Sequence, residues 1–180
     1  LLKVWPMSDI VRQSKRVAHR LRHTEIIDRC GGWVRCSVLI QLLGLTQEEL
    51  TDIVVSDSKG RFQFSDDSLS IRALYGHSVE VDMGYEQAIP PMVLYHGTAE
   101  RYLEAISCEG LKSKSRNFVH LCESFEMATS VGERHGEPYI LKIDTRAMVR
   151  DGYKFFNPKH DVWLTECVPS EYILNCGPKK

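Results

Sequence analysis

The sequence predicts an α+β protein built as two lobes, and three observations carry that expectation. Residues 8–54 hold three helix patterns, followed by two short alternating segments at 61–64 and 69–73. Residues 84–91 begin polar and end Ile89-Pro90-Pro91. Beyond them come many short strand patterns and few helices, which suits a packed, mostly antiparallel sheet. With 180 residues, 43% of them apolar, the chain can build one large domain or two lobes with modest cores.

The elements follow in order. Ser8 is placed to cap a helix from Asp9 to about Leu21, with Ile10, Val11, Val17, Ala18 and Leu21 on one face. It runs into Arg22-His23, where cationic groups suit the negative end of the helix dipole. Gly31-Gly32 breaks the chain before a short extended piece at Trp33-Val34. Ser37 precedes a helical Val38 to Leu43, with Gly44 as its stop. Thr46 and Glu49 have capping-box spacing and open a third helix through Leu50, Ile53 and Val54. Residues 61–64 and 69–73 alternate apolar with polar around Ser65-Asp66-Asp67-Ser68, a β-hairpin signature. Three helices and then a hairpin is the order of a winged-helix module, most of which bind nucleic acid. Two prolines in succession cannot join a helix or a central strand, so 84–91 reads as a stiff linker. The expected domains are therefore 1–83, the linker 84–91, and 92–180.

The second lobe opens on Val93-Leu94-Tyr95-His96-Gly97-Thr98. This reads as an apolar strand ending at a histidine and a turn-forming glycine. Thr98 is placed to cap a helix from Ala99 to Glu109, which Gly110 stops. Such a strand–turn–helix would present free backbone N–H groups to an anion beside His96. On their own, these six residues are better explained as a buried strand with a hydrogen-bonded core histidine. Phe118 to Leu121 reads as a strand, Ser124 as the cap of a helix from Phe125 to His135, and Gly136 as its stop. Tyr139–Ile143, Tyr153–Phe155 and Val162–Thr165 read as further strands.

Composition excludes some classes. The net charge of −1 gives no global nucleic-acid signature. Residues 1–30, however, carry seven Lys/Arg against three acids, which suits a local anionic partner as well as a solvated helix face. Six cysteines form no C-x-x-C pair and no zinc spacing, so reduced thiols in a cytoplasmic protein are expected. No apolar run reaches the length of a membrane span, and residues 1–6 are too short for a signal peptide. Met7 is a candidate natural start, which would make the six residues before it an extension.

Standard nucleotide and hydrolase motifs are missing from the sequence, and no pair of carboxylates stands at acid–base spacing. Arginine and histidine instead recur where elements end: Arg22, His23, Arg72, His77, His96, Arg116, His120, Arg134 and His135. Guanidinium groups bind phosphate bidentately and keep their charge, and histidine exchanges protons near neutral pH. Spacing alone leaves open whether these residues converge or lie apart on the surface.

Motifs along nearly the whole chain resemble the RNA 2′-phosphotransferase family, often named tRNA 2′-phosphotransferase. They are Leu21-Arg22-His23, Gly32-Trp33-Val34, Ile71-Arg72-Ala73 with Gly76-His77-Ser78, and Leu94 to Thr98. Gly110-Leu111, Arg116 before Val119-His120-Leu121, Val131-Gly132 before Arg134-His135-Gly136, and Val162 to Thr165 continue the series. The resemblance implies a winged-helix, RNA-facing lobe and an NAD-binding lobe related to ADP-ribosyltransferases. It implies a reaction in which an internal RNA 2′-phosphate attacks the nicotinamide ribose of NAD. Transesterification then yields 2′-hydroxyl RNA and ADP-ribose 1″,2″-cyclic phosphate, without a metal.

By the same resemblance, Arg22, His23, Arg72 and Arg116 are the catalytic set. The arginines would hold the phosphate, and His23 would be the proton-transfer partner. His96, Gly97, Thr98, His120 and Val162 would line the NAD site, with Arg134 at the pyrophosphate. An apolar Val162, where many ADP-ribosyltransferases have glutamate, suits a nucleophile already ionised as phosphate. The chain departs from the family pattern at Phe118 (usually histidine), Tyr75 (glutamine expected), Cys122 (serine expected) and His160-Asp161. The segment between His23 and Gly32 is also short. The expected partners are an RNA with an internal 2′-monophosphate and NAD, on a monomer. The competing readings are ADP-ribosylation of RNA or DNA phosphate ends, and a non-catalytic winged-helix nucleic-acid binder.

Overall fold

A computed structural model describes residues 6–174. Residues 1–5, most of the extension read before Met7, lie outside the described residues, as do 175–180. Two compact units divide the chain, Leu1–Gly84 and Tyr85–Lys180. Helices and small antiparallel sheets make up both, an α+β architecture.

In the first unit, α1 (Met7–His23) starts two residues before the expected helix. Its N-cap is Pro6 and no side chain caps it, so Ser8 lies inside the first turn instead of capping it. Proline there sets an extended entry, which lets the helix begin without a hydroxyl cap. Then come β1 (Val34–Arg35), α2 (Cys36–Leu43) and α3 (Gln47–Val55). Helix α2 begins at Cys36, ahead of Ser37, and ends on Gly44 in the left-handed conformation at φ 66°. The capping box of α3 forms in both directions. The Glu49 amide donates to Thr46 Oγ1 at 3.1 Å, and the Thr46 amide donates to Glu49 Oε2 at 2.9 Å.

Strands β2 (Phe62–Phe64) and β3 (Ser70–Ala73) form the expected hairpin, and β1 adds to it in the order β1-β3-β2. Val17, Leu21, Leu39, Leu50 and Ile71 are fully buried between the helices and this sheet. Arg61 ties the layers together. Its guanidinium donates to Asp57 Oδ1 at 2.7 Å and to Ser14 Oγ of α1 at 2.6 Å.

The second unit holds β4 (Val93–Ala99), a 3₁₀ turn (Glu100–Tyr102), α4 (Leu103–Glu109), β5 (Leu111–Lys112) and β6 (Val119–Leu121). It continues with α5 (Phe125–Gly132), β7 (Pro138–Asp144), α6 (Thr145–Arg150), β8 (Phe156–Lys159), β9 (Val162–Thr165) and β10 (Cys167–Val168). A second 3₁₀ turn (Ser170–Tyr172) and β11 (Ile173–Leu174) close it. In place of one packed sheet there are three small antiparallel ones: β10-β5, β11-β7-β4 and β6-β9-β8. The pair Tyr95–Cys122 bridges β4 to the segment after β6. Residues 85–91 pack within this unit. The Ala88 amide donates to the Phe155 carbonyl at 2.9 Å, and the Thr145 hydroxyl donates to the Pro91 carbonyl.

Several local expectations change. The strand read at 153–155 begins only at Phe156, while Phe155 is 1% exposed and serves the core. Strand β8 lies at a sheet edge, which is where Pro158 is tolerated. Helix α5 keeps its Ser124 cap, with the Met127 amide donating to Ser124 Oγ at 3.1 Å. It ends at Gly132, and 133–136 are turn.

The largest change falls on the stretch from His96 to Ala99. Gly97 and Thr98 are not a turn and a cap: β4 runs straight through both, and the helix proper starts at Leu103. Gly97 does not have a left-handed φ. A Cβ there would stand 1.8 Å from the Ala128 carbonyl oxygen, so the missing side chain lets α5 lie against the strand. Gly132 repeats the device at the far end of α5, where a Cβ would stand 2.8 Å from the Thr98 carbonyl oxygen.

Candidate active site

Arg22 and His23 close α1, and the loop 75–78 is shaped around them. The Ser78 amide donates to the Arg22 carbonyl at 2.9 Å, and the His23 Nδ1–Ser78 Oγ pair lies at 2.8 Å. The Arg22 guanidinium sits 4.9 Å from the centre of the Tyr75 ring, a cation–π contact. Gly76 adopts φ 91°, and a Cβ there would crowd Arg22 Cζ at 3.2 Å. Tyr75 thus departs from the expected glutamine by supplying an aromatic platform for Arg22.

Arg72 is set by β3. Opposite it in the ladder stands Gln63, whose Oε1 accepts from Arg72 Nε at 2.8 Å. The Arg72 guanidinium also lies over Trp33, 4.4 Å from the ring centre, and donates to the Gly31 carbonyl at 3.3 Å. The break at Gly31-Gly32 therefore brings Trp33 and a carbonyl to the same arginine.

His77 lies between these groups. It is 3% exposed, and its Nε2 has no hydrogen-bond partner among the described residues. Burial first, then the charges of Arg22, His23 and Arg72, push its pKa down to about 4. A neutral imidazole thus stands inside a cationic group, with Gly32 over it: a Cβ there would be 3.5 Å from Nε2. The structure brings Arg22, His23 and Arg72 together around His77. The sequence marked His77 as one of many element-end histidines without giving it a place in the site.

In the second unit, His96 occupies the middle of β4. Its Nδ1 donates to the His120 carbonyl at 2.9 Å, because a carbonyl can only accept. Burial lowers its pKa first; the His120 carbonyl opposes this and the charge of His135 adds to it. His96 is therefore neutral at pH 7, with the proton on Nδ1 and an acceptor at Nε2. His120 on β6 in turn donates from Nδ1 to the Phe118 carbonyl at 3.1 Å. His135, in the turn after α5, is the group whose charge reaches His96. Arg134 beside it is exposed. Val162 is half-buried on β9, two residues from Leu164, which pairs with His120. Arg116 is exposed on the turn before β6.

The remaining departures also have local reasons. Phe118 packs edge-on against Phe156 at 5.6 Å and against Tyr85 at 5.9 Å. Cys122 is buried, its thiol pushed up to about 12 mainly by burial, and its Sγ lies 3.5 Å from both the Tyr95 and the Ser124 carbonyl oxygens, either of which can accept its one S–H, so it is unreactive. His160 and Asp161 pair with each other at 2.9 Å at the β8–β9 turn, where Asp161 has φ 69°.

Comparison with known proteins decides the family. Residues 8–167 match the sequence profile described as RNA 2′-phosphotransferase, Tpt1 / KptA family. The chain belongs to the RNA 2′-phosphotransferase family. Among similar proteins is the probable RNA 2′-phosphotransferase of Acaryochloris marina, 42% identical over 170 residues, covering 89% of this chain and 94% of that one. Those of Fusobacterium nucleatum and Streptomyces coelicolor bear the same name. They are 43% identical over 148 residues (79% and 83% covered) and 40% identical over 177 residues (93% and 96% covered). The protein is thus an RNA 2′-phosphotransferase family enzyme, and membership implies NAD as co-substrate and a 2′-phosphorylated RNA. No group of three metal-ligating side chains is gathered among the described residues, and no described helix is long and apolar enough to cross a membrane.

Proposed function

We propose that this chain removes an internal 2′-phosphate from RNA of the tRNA splice-junction type, using NAD and passing through a 2′-phospho-ADP-ribosylated RNA. One observation carries the proposal: Arg22, His23 and Arg72 gather around a buried histidine that stays neutral. Each guanidinium presents a planar fork of hydrogen-bond donors that matches the oxygens of a phosphate. Tyr75 and Trp33 hold their planes, so little ordering remains to be done when phosphate arrives. The order of helices and hairpin in this unit suits a winged-helix, RNA-facing lobe.

In the first step a 2′-phosphate oxygen bonds to the ribose C1″ of NAD, and nicotinamide leaves with the electron pair of the C–N bond. The phosphate is already ionised, so no general base is needed, which is consistent with an apolar Val162. NAD would be held in the second unit, an ADP-ribosyltransferase-like lobe in this proposal, by His96, Gly97, Thr98, His120 and Val162, with Arg134 at the pyrophosphate. The histidines present fit that role. Neutral His96 offers Nε2 to a hydroxyl without repelling the cationic nicotinamide ring.

In the second step the ribose O2″ attacks phosphorus, and the RNA 2′-oxygen leaves and takes a proton. Charge grows on the phosphate oxygens, where Arg22, Arg72 and Arg116 would oppose it. His23, oriented by Ser78, would move the proton.

The test is incubation of a short RNA bearing an internal 2′-phosphate with and without NAD. Release of 2′-hydroxyl RNA, nicotinamide and ADP-ribose cyclic phosphate only with NAD is the expected result. Retention of the phosphate in both arms refutes the proposal. Arg72→Ala and Arg116→Ala should each accumulate ADP-ribosylated RNA, and native turnover by either would remove that residue from the second step.

A further inference from the structure

Helix α1 carries a second feature besides its last two residues. At 3.6 residues per turn, Arg12, Lys15, Arg16, His19 and His23 fall within about 100° of the helix circumference. All five are exposed, while Val17, Ala18 and Leu21 on the opposite side are buried in the core. The row ends at the candidate active site, where the His19 ring lies 5.3 Å from that of His23.

The row is largely uncompensated. The one acid within α1 is Asp9, at the far end, paired with Arg12 at 3.1 Å. Arg16 donates to the neutral Gln13 at 2.7 Å, and among the described residues no carboxylate lies within ion-pair distance of Lys15 or Arg16. From Arg12 to His23 the row rises about 16 Å, room for a few successive phosphates of an extended strand.

We propose that this face of α1 holds the RNA backbone flanking the 2′-phosphate. The proposal rests on the function proposed above, because that function sets which anion arrives at His23. A 2′-phosphate bound by Arg22 and His23 is covalently attached to a chain of further phosphates. The surface continuous with His23 is then the first that this chain meets. The contacts are charge to phosphate, so they carry affinity and no base preference. Removing them weakens capture of a long RNA and leaves the chemistry on a minimal substrate untouched.

The experiment compares the wild type with the triple variant Arg12→Gln, Lys15→Gln, Arg16→Gln, none of which belongs to the catalytic set. Two substrates are used: an RNA of about 20 nucleotides with a central 2′-phosphate, and the dinucleotide bearing the same phosphate. For the long RNA, the KM of the variant should rise about tenfold at low salt while kcat holds. The slope of log affinity against log salt should become shallower by about 2, as expected for three lost contacts to a single strand. On the dinucleotide the two proteins should be equal, which also shows that the variant is folded. Binding of the long RNA by fluorescence anisotropy without NAD repeats the comparison apart from turnover. If wild type and variant share one affinity and one salt slope, the proposal is overturned, and the face serves another polyanion or only solvation. Equal loss on the dinucleotide overturns it too. Absence of turnover by the wild type on both substrates, with the anisotropy difference intact, would instead refute the proposed function.

Discussion

Acidification should destabilise the first unit through His77. The folded protein holds this imidazole at a pKa of about 4, against 6.5 for the free side chain. Between those values the unfolded chain binds a proton that the folded one refuses, so stability rises with pH across that window. The contribution is intact above about pH 7 and is lost as pH falls toward 4, by about 3 kcal/mol in all. From pH 7 to pH 5 the loss works out at about 2 kcal/mol for this one group. The facing charges are Arg22, His23 and Arg72, so the imidazolium would have no nearby counter-charge among them. The assay is urea unfolding of the wild type and of His77→Asn at pH 7, 6 and 5. Whatever the offset at pH 7, the variant should gain about 2 kcal/mol on the wild type by pH 5, because the other titrations cancel in the difference. Parallel stability curves for the two proteins would refute the neutral-histidine argument.

Other expectations are simpler. Gly97→Ala forces a Cβ to 1.8 Å from the Ala128 carbonyl, so strand and helix must separate. A loss of roughly 3 kcal/mol or more, or failure to fold, should appear in thermal melts, and a native melting temperature would contradict the packing. Ser78→Ala removes the 2.8 Å partner of His23 Nδ1. It should lower kcat roughly tenfold and shift the pH–rate profile with little change in KM, and Ser78→Thr should restore both. An unchanged profile would make Ser78 a bystander.

What could be seen in advance divides by the range of the interactions involved. The capping box at Thr46-Glu49, the stop at Gly44 and the hairpin at 62–73 depend on neighbours a few residues apart, and their residues announce them. Gly97 does not work that way. Its reason is a carbonyl 31 positions later, and a glycine that admits a helix is spelled the same as one that makes a turn. Likewise, strands of two or three residues such as β5, β10 and β11 carry too little periodicity to be read, since pairing partners far along the chain define them.

The candidate site shows both cases. Arg22, His23 and Arg72 stood out as cations where elements end. What they surround was hidden, because a histidine becomes neutral and buried only once α1, β3 and the loop 75–78 have packed. That packing gives the cluster its chemical character. A protonated His77 would add a further charge to a group already cationic and would raise the cost of holding it together. A neutral one lets arginine planes be fixed by Tyr75 and Trp33 without electrostatic penalty from the floor beneath them. The same logic covers His96, whose proton is committed to a backbone carbonyl and whose ring stays uncharged. In both units, then, a histidine held in the interior stays uncharged. His23, exposed at the first cluster and paired with Ser78, is the histidine to which the proposed mechanism gives the proton.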